Sequence, residues 1–203
     1  AEALTLNGTG VSSGGALMNS GAAATYAGLI TLGSASSIVG GTGSVALTNA
    51  GTITGSGFAL TLGGAQGGSL ASIVGTGSGT LTKADAGTWT LSGASTYTGA
   101  TTISAGILKL GAAGGATNTP LGTTGAGTTV SSGAALDLNG YTLGTAEALT
   151  LNGTGVSSGG ALMNSGVAAT YAGLITLGSA SSIVGGTGTI ALTNAGTITG
   201  SGF

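Results

Sequence analysis

The chain has 203 residues, of which 46 are Gly, one is Pro and none is Cys or His; only 3% are charged, for a formal charge of −2 at neutral pH. Its four acids, Glu2, Asp85, Asp137 and Glu147, are scattered, and its two bases, Lys83 and Lys109, are joined by no Arg, so the sequence offers neither clustered carboxylates for catalysis nor a basic patch for nucleic acid. No apolar run approaches the ~18–20 residues that cross a bilayer as a helix, Gly follows no collagen-like period, and Thr, Leu, Ile and Val interrupt the Gly too often for a flexible linker.

Taken from the N-terminus, the recurring element is a short run in which Leu, Ile or Val flanks a polar or small residue, and this period-two alternation marks a half-buried strand. The runs are Leu4-Thr5-Leu6, Leu29-Ile30-Thr31-Leu32, Val45-Ala46-Leu47, Leu60-Thr61-Leu62, Leu81 between Thr80 and Thr82, and Leu136-Asp137-Leu138. In each, the aliphatic side chains are expected to face inward. Gly40-Gly41-Thr42-Gly43, Gly63-Gly64 and Asn139-Gly140 separate the strands and supply turns or positive φ at low steric cost. No helical period survives for 11 residues, so helix content near zero is expected. Near residue 146 the chain begins again. Residues 1–58 recur as 146–203, an offset of 145, with three changes: Ala22 to Val167, Ser44 to Thr189 and Val45 to Ile190. The domain reading is therefore residues 1–145 as one full unit of a continuous β-solenoid and 146–203 as the start of the next.

Two shorter echoes favour a solenoid over a sandwich or barrel. Leu4-Thr5-Leu6 returns as Ile30-Thr31-Leu32, and Val130-Ser131-Ser132-Gly133 as Val156-Ser157-Ser158-Gly159, both 26 residues on. A coil of about that size stacks on its neighbour at ~4.8 Å, so one unit should hold about six or seven coils and measure ~30 Å along the axis. Stacking also accounts for the composition. Like charges repeated at that spacing repel, whereas Thr, Ser and Asn hydrogen-bond along the stack. The fold class expected is all-β, a parallel β-helix in which coils share one aliphatic core.

Residues 79–110 read GTLTKADAGTWTLSGASTYTGATTISAGILKL. The order of GTLTK, AGTWTLSG, YTGATTISAG and ILKL resembles the autotransporter-associated β-strand repeat of bacterial surface-protein passenger regions, and VSSGAALDLNGYTLG at 130–144 is similar in style to what trails it. The resemblance implies a right-handed parallel β-helix displayed outside the cell, and it brings no catalytic residue with it.

Several local patterns compete with structural readings. Gly10-Val11-Ser12-Ser13-Gly14 and its repeat at 155–159 fit G-x-S-x-G, but a chain without His gives Ser12 no triad base, and a turn is expected. Trp89 lies in phase with Leu91 and is read as packing rather than sugar stacking, with Tyr97, Tyr26, Tyr141 and Tyr171 similarly isolated. Lys83 and Asp85 are expected to be exposed, where a pair contributes about 0–1 kcal/mol. Asn7-Gly8-Thr9 and Asn152-Gly153-Thr154 match a glycosylation sequon and are read as turns. The triplets Thr52-Ile53-Thr54, Thr80-Leu81-Thr82, Thr88-Trp89-Thr90 and Thr96-Tyr97-Thr98 suggest an ice-binding array, but their spacing is irregular.

The expected role is a structural, non-enzymatic segment of an extracellular or bacterial cell-surface fibre. An adhesin stalk or surface-binding passenger region is the alternative, and an ice-binding solenoid a lesser one. No catalytic, metal or cofactor-binding residue is assigned. The expected partner is the chain itself, through continuing repeats and lateral bundling, with other cell surfaces second; neither nucleic acid nor insertion into a membrane is expected.

Overall fold

The computed structural model describes residues 1–144 and 147–203. The boundary between the two units, at 145/146, falls outside the described residues.

The alternating runs form strands that stack in parallel, in register, on three faces of a β-helix. On the first face Leu17–Asn19 is followed by the second half of Ile30–Gly40, then Leu60–Gly63, Leu81–Lys83, Thr101–Ile103, Thr128–Val130, Leu149–Gly153, Ile175–Ser181 and Thr199–Gly200. The second face runs from Ala24–Tyr26 through Val45–Leu47, Gly67–Leu70, Thr88–Leu91, Gly106–Leu110, Ala134–Asp137 and Leu162–Met163 to Ile183–Val184. The third begins with Leu4–Gly8, the start of Ile30–Gly40, Thr52–Thr54 and Ile73–Gly75, and resumes as Thr142–Leu143, Ala169–Tyr171 and Ile190–Leu192. Ile30–Gly40 turns a corner and so serves two faces. Apart from two single-turn 3-10 segments, Val11–Ser13 and Val156–Ser158, no helix occurs among the described residues.

Between its two parts the third face loses regular pairing. Tyr97 N–H still donates to Val74 O at 3.2 Å and Thr123 N–H to Tyr97 O at 3.0 Å, so the stack passes through. Here Asn118–Thr119 and Gly122–Thr123 form a small antiparallel hairpin around Pro120, and Thr119 also bridges antiparallel to Ser95. Proline has no N–H to give to a ladder. The hairpin buries Leu121, whose N–H is taken by Thr119 Oγ1 at 2.9 Å.

Inward positions fill a single core with Leu, Ile and Val, as the alternation requires. Each well-buried aliphatic side chain contributes roughly 1.5–3 kcal/mol. Leu29 is an exception: it is half exposed because Ile30 and Leu32 take the inward phase of that strand. Of the two 26-residue echoes, one is a true stacking register, Leu4 on Ile30. The other is not, for Val130 stacks on Leu151 while Val156 lies in a 3-10 turn. Coils therefore vary in length, the first-face step ranging from the 20 residues between Leu81 and Thr101 to the 27 between Thr101 and Thr128.

Corners are made in two ways. At Asn139-Gly140 both residues have positive φ, 48° and 79°, as expected of a tight turn. At Gly40 the reason is different: φ is ordinary, and a Cβ there would overlap the carbonyl of Gly67 in the next coil. Asn side chains clamp other corners. Asn49 Oδ1 accepts from Gly51 N–H at 2.7 Å while its Nδ2 donates to Ala27 O of the preceding coil at 2.9 Å, and Asn194 repeats the arrangement with Gly196 and Ala172.

Candidate functional site

Three of the four largest fully buried side chains, Trp89, Tyr97 and Lys83, lie in the segment 81–110; the other is Tyr171. In Leu81-Thr82-Lys83 the inward phase of Leu81 is shared by Lys83, which stacks between Leu62 and Ile103 and is fully buried. Its ammonium donates to three backbone carbonyls at the corner, Ala84 at 2.7 Å, Asp85 at 2.8 Å and Ala105 at 2.9 Å. Burial pulls its pKa down to about 8, opposed by the nearby negative charge of Asp85. The expectation of an exposed Lys83 is thus corrected. Asp85 itself is exposed in a turn with φ 60°, and its carboxylate accepts from Gly64 N–H at 2.7 Å.

Trp89 fills the core beside Gly68, and its indole Nε1–H donates to Gly63 O at 2.9 Å. Tyr97 is equally buried, with 2.6 Å between its hydroxyl and Thr101 Oγ1, and Thr101 donates on to Leu121 O at 2.9 Å. Desolvation raises the Tyr97 pKa, partly offset by the Thr101 hydrogen bond and reinforced by the charge of Glu147. The packing reading of Trp89 and Tyr97 therefore agrees with their positions.

Two first-face strands, two second-face strands and the buried Trp89, Lys83 and Tyr97 thus come from one continuous segment. Residues 81–110 match the passenger-associated-transport-repeat family model. This is the kind of passenger repeat that the motif order resembles, and it implies a secreted or cell-surface location. No curated protein and no solved structure matches the chain. The transport repeat spans more than a full coil and packs the core tightly around Trp89. Its buried Lys83 ammonium and Trp89 indole N–H are turned to internal backbone carbonyls.

A second concentration of polar groups joins the first sequence copy to the second. Glu147 is buried, and its carboxylate accepts from Thr128 Oγ1 at 2.7 Å and Thr119 Oγ1 at 3.3 Å. Burial raises its pKa to about 7 against the lowering effect of those two hydrogen bonds. Tyr171 O–H donates to the Glu147 backbone carbonyl at 2.8 Å, and desolvation, then the Glu147 charge, raise the Tyr171 pKa. On the second face Asp137 accepts from Ser165 N–H at 2.9 Å and Ser165 O–H at 2.6 Å. Lys109 lies 3.5 Å from the same carboxylate and donates to Ser165 Oγ at 2.9 Å. Their first-copy counterparts Glu2 and Ser20 are exposed. The burial of Asp137 and Glu147 was not anticipated from sequence. Lys109 lies in register with Asp137 on adjacent coils, which only knowledge of the stacking reveals.

Ser12 of the G-x-S-x-G match is an exposed turn residue with φ 51°, and Ser157 repeats it at 48°. The sequon glycines Gly8 and Gly153, with φ 76° and 75°, close strands at a register shift rather than forming turns. The Thr-x-Thr triplets do not stack, for Thr52–Thr54 belongs to the third face, Thr82 to the first and Thr88–Leu91 to the second. A different row emerges instead. Thr61, Thr82, Thr102, Thr129, Thr150, Thr176 and Thr199 stand in register, one per coil, on the outside of the first face. Chemically, these arrangements couple one coil to the next: carboxylates and carbonyls are met by hydroxyl, amide and ammonium donors of neighbouring coils.

Proposed function

We propose that the chain is a structural, non-enzymatic segment of an extracellular or cell-surface fibre, a stalk made of tandem solenoid units. The observation that carries this reading is the junction between the sequence copies. Thr128–Val130 pairs with Leu149–Gly153, Ala134–Asp137 with Leu162–Met163, and Thr142–Leu143 with Ala169–Tyr171, so all three faces pass from one copy to the next without a gap. A linker between units would leave them free to rotate; a shared ladder makes them one rod. Each added unit lengthens the rod without new chemistry. The match of 81–110 to a passenger-associated repeat supports display outside the cell.

Small-angle X-ray scattering of arrays with one, two, four and six units tests it. The maximum dimension should grow by ~30 Å per unit at constant cross-section. Growth with the square root of unit number, or a cross-section that swells, would sink the stalk reading.

The threonine row is the observation in favour of ice binding. It is one residue wide: the residues two positions away along the strands include Ala59, Ala84, Ala100 and Gly127, and Thr appears there only at Thr80 and Thr197, too few for a second row. The fibre reading needs no second row, since hydroxyls in register stabilise the stack itself, as between Thr176 and Thr199 at 3.3 Å. Thermal hysteresis indistinguishable from a buffer control is the expected result.

A further inference from the structure

Consecutive copies of the unit do not sit on the same faces. Leu17 stacks on the first face, and its counterpart Leu162 on the second. Ala24–Tyr26 belongs to the second face, and its counterpart Ala169–Tyr171 to the third. Leu4 pairs with Ile30 on the third face, while Leu149 continues the first-face stack of Leu60, Leu81, Thr101 and Thr128. From Leu17 the first-face path is Ile38, Leu62, Lys83, Ile103, Val130 and Leu151, six steps, after which the chain advances one further face to reach Leu162. Starting from Thr25 on the second face gives the same phase: Ala46, Ser69, Thr90, Lys109, Asp137, Met163, then one face on to Thr170.

We infer that the 145-residue unit is six and one-third coils long, so that each unit in a tandem array is turned by one face relative to the one before it. This rests on the tandem stalk reading for its extension beyond the two copies present. Three units restore the starting face after nineteen coils, ~90 Å along the axis.

The consequence is a surface presented in three directions. Thr5, Thr31 and Thr54 are in register on the third face; their counterparts Thr150, Thr176 and Thr199 lie on the first, where they extend the row that Thr61 to Thr129 begins. In an array the row therefore runs for about a unit and then moves to the next face. The Lys109–Asp137–Ser165 group moves with it, since each is fixed in the unit. A filament built this way has no single sticky side, so flat sheets of filaments zipped along one continuous row are disfavoured. A unit of six whole coils would have placed every copy of the row on one line.

The phase is tested in the 203-residue chain, which has no native Cys to interfere. Thr129 and Thr150 are partners on the first face. Adjacent in-register Cα atoms lie within the ~4.4–6.8 Å that a disulfide bridges. The double variant Thr129→Cys/Thr150→Cys should close under mild oxidation in most molecules, and Thr142→Cys/Thr150→Cys should remain largely open. Failure of Thr129→Cys/Thr150→Cys to close would mean that Thr150 is not on the first face, and would overturn the inference while leaving the stalk reading intact. Display is read in a six-unit array carrying Thr82→Cys in every unit, labelled with maleimide gold and imaged by cryo-electron tomography. Labels should advance ~30 Å per unit and occupy three sides in turn. Labels on one side of a straight rod would overturn the inference alone; compact or flexible particles would overturn the stalk reading, and the crosslink pair would still decide the phase between the two copies.

Discussion

Glu147 is the residue whose burial has the clearest consequence for solution behaviour. Its carboxyl is enclosed by Thr119, Thr128 and the stacked coils, and its pKa is raised from 4.5 to about 7. A folded-state pKa above the unfolded value means that the folded chain binds more protons between those limits. Stability is then highest at the acidic end, falls as pH rises from about 4.5 to about 7, and levels off above. A shift of this size corresponds to on the order of 3 kcal/mol at ~1.4 kcal/mol per unit. The tyrosines that face the group, Tyr97 and Tyr171, are held neutral across this window by their raised pKa values. Urea unfolding of the wild type and Glu147→Gln at three pH values across the window checks this. The Gln variant, with a permanently neutral group that still hydrogen-bonds the threonines, should show a much flatter dependence, and parallel profiles would rule Glu147 out as the source.

At the scale of the strand, the stack makes an inward rung more sensitive than an outward position. Leu151 lies between Val130 and Leu177 and is fully buried, and Leu6 stacks on Leu32 and is buried too. Leu151→Asp places an unpaired charge between two apolar rungs and should destabilise by several kcal/mol. Leu6→Asp, at a site that is likewise buried and stacked on Leu32, should destabilise in the same direction. Thr5→Ser, at an exposed outward position, should change the urea midpoint hardly at all. A Leu151→Asp midpoint close to that of the wild type would argue against the paired environment assigned to Leu151.

The strands were largely legible in the sequence, because alternation is a local property: Leu60-Thr61-Leu62 and Val45-Ala46-Leu47 place their aliphatic residues inward as read. Lys83 was misread: it shares the inward phase of Leu81, but a charge is ordinarily assigned to the surface, and the carbonyl corner that accepts it comes from Ala84, Asp85 and the distant Ala105. The same non-locality hid Glu147 and Asp137. Their partners Thr119, Thr128 and Ser165 are 19 to 28 residues away in sequence. Coil boundaries were least legible, because coils of unequal length preserve the stack while spoiling any fixed period, and because the Val130-Ser131-Ser132-Gly133 echo reflects similar turn chemistry rather than stacking.

For the whole molecule, cohesion comes from backbone ladders and an aliphatic core rather than from charge. Among the described residues one ion pair is found, Lys109 with Asp137, and Asp137 is also held by Ser165. Three of the four remaining charged groups meet neutral donors and acceptors: Lys83 on carbonyls, Asp85 on an amide, Glu147 on two hydroxyls; Glu2 is exposed. Salt acts on exposed charges through a Debye length that shrinks from about 30 Å at about 0.01 M to about 3 Å at about 1 M. A rod held by stacked amides, buried aliphatics and uncharged hydroxyl rows offers little for that screening to act on. Repeat proteins gain stability from each unit and each interface between neighbours, and all three faces cross the copy junction here. Going from one unit to four, the denaturation midpoint should rise and then saturate, keeping one cooperative transition. Across that range of sodium chloride the midpoint of each array should stay nearly fixed and the rods should stay the same length by scattering. Separate transitions for individual units would mean that the junction is weaker than its continuous ladders imply, and shortening or dissociation in salt alone would assign the cohesion to charge after all.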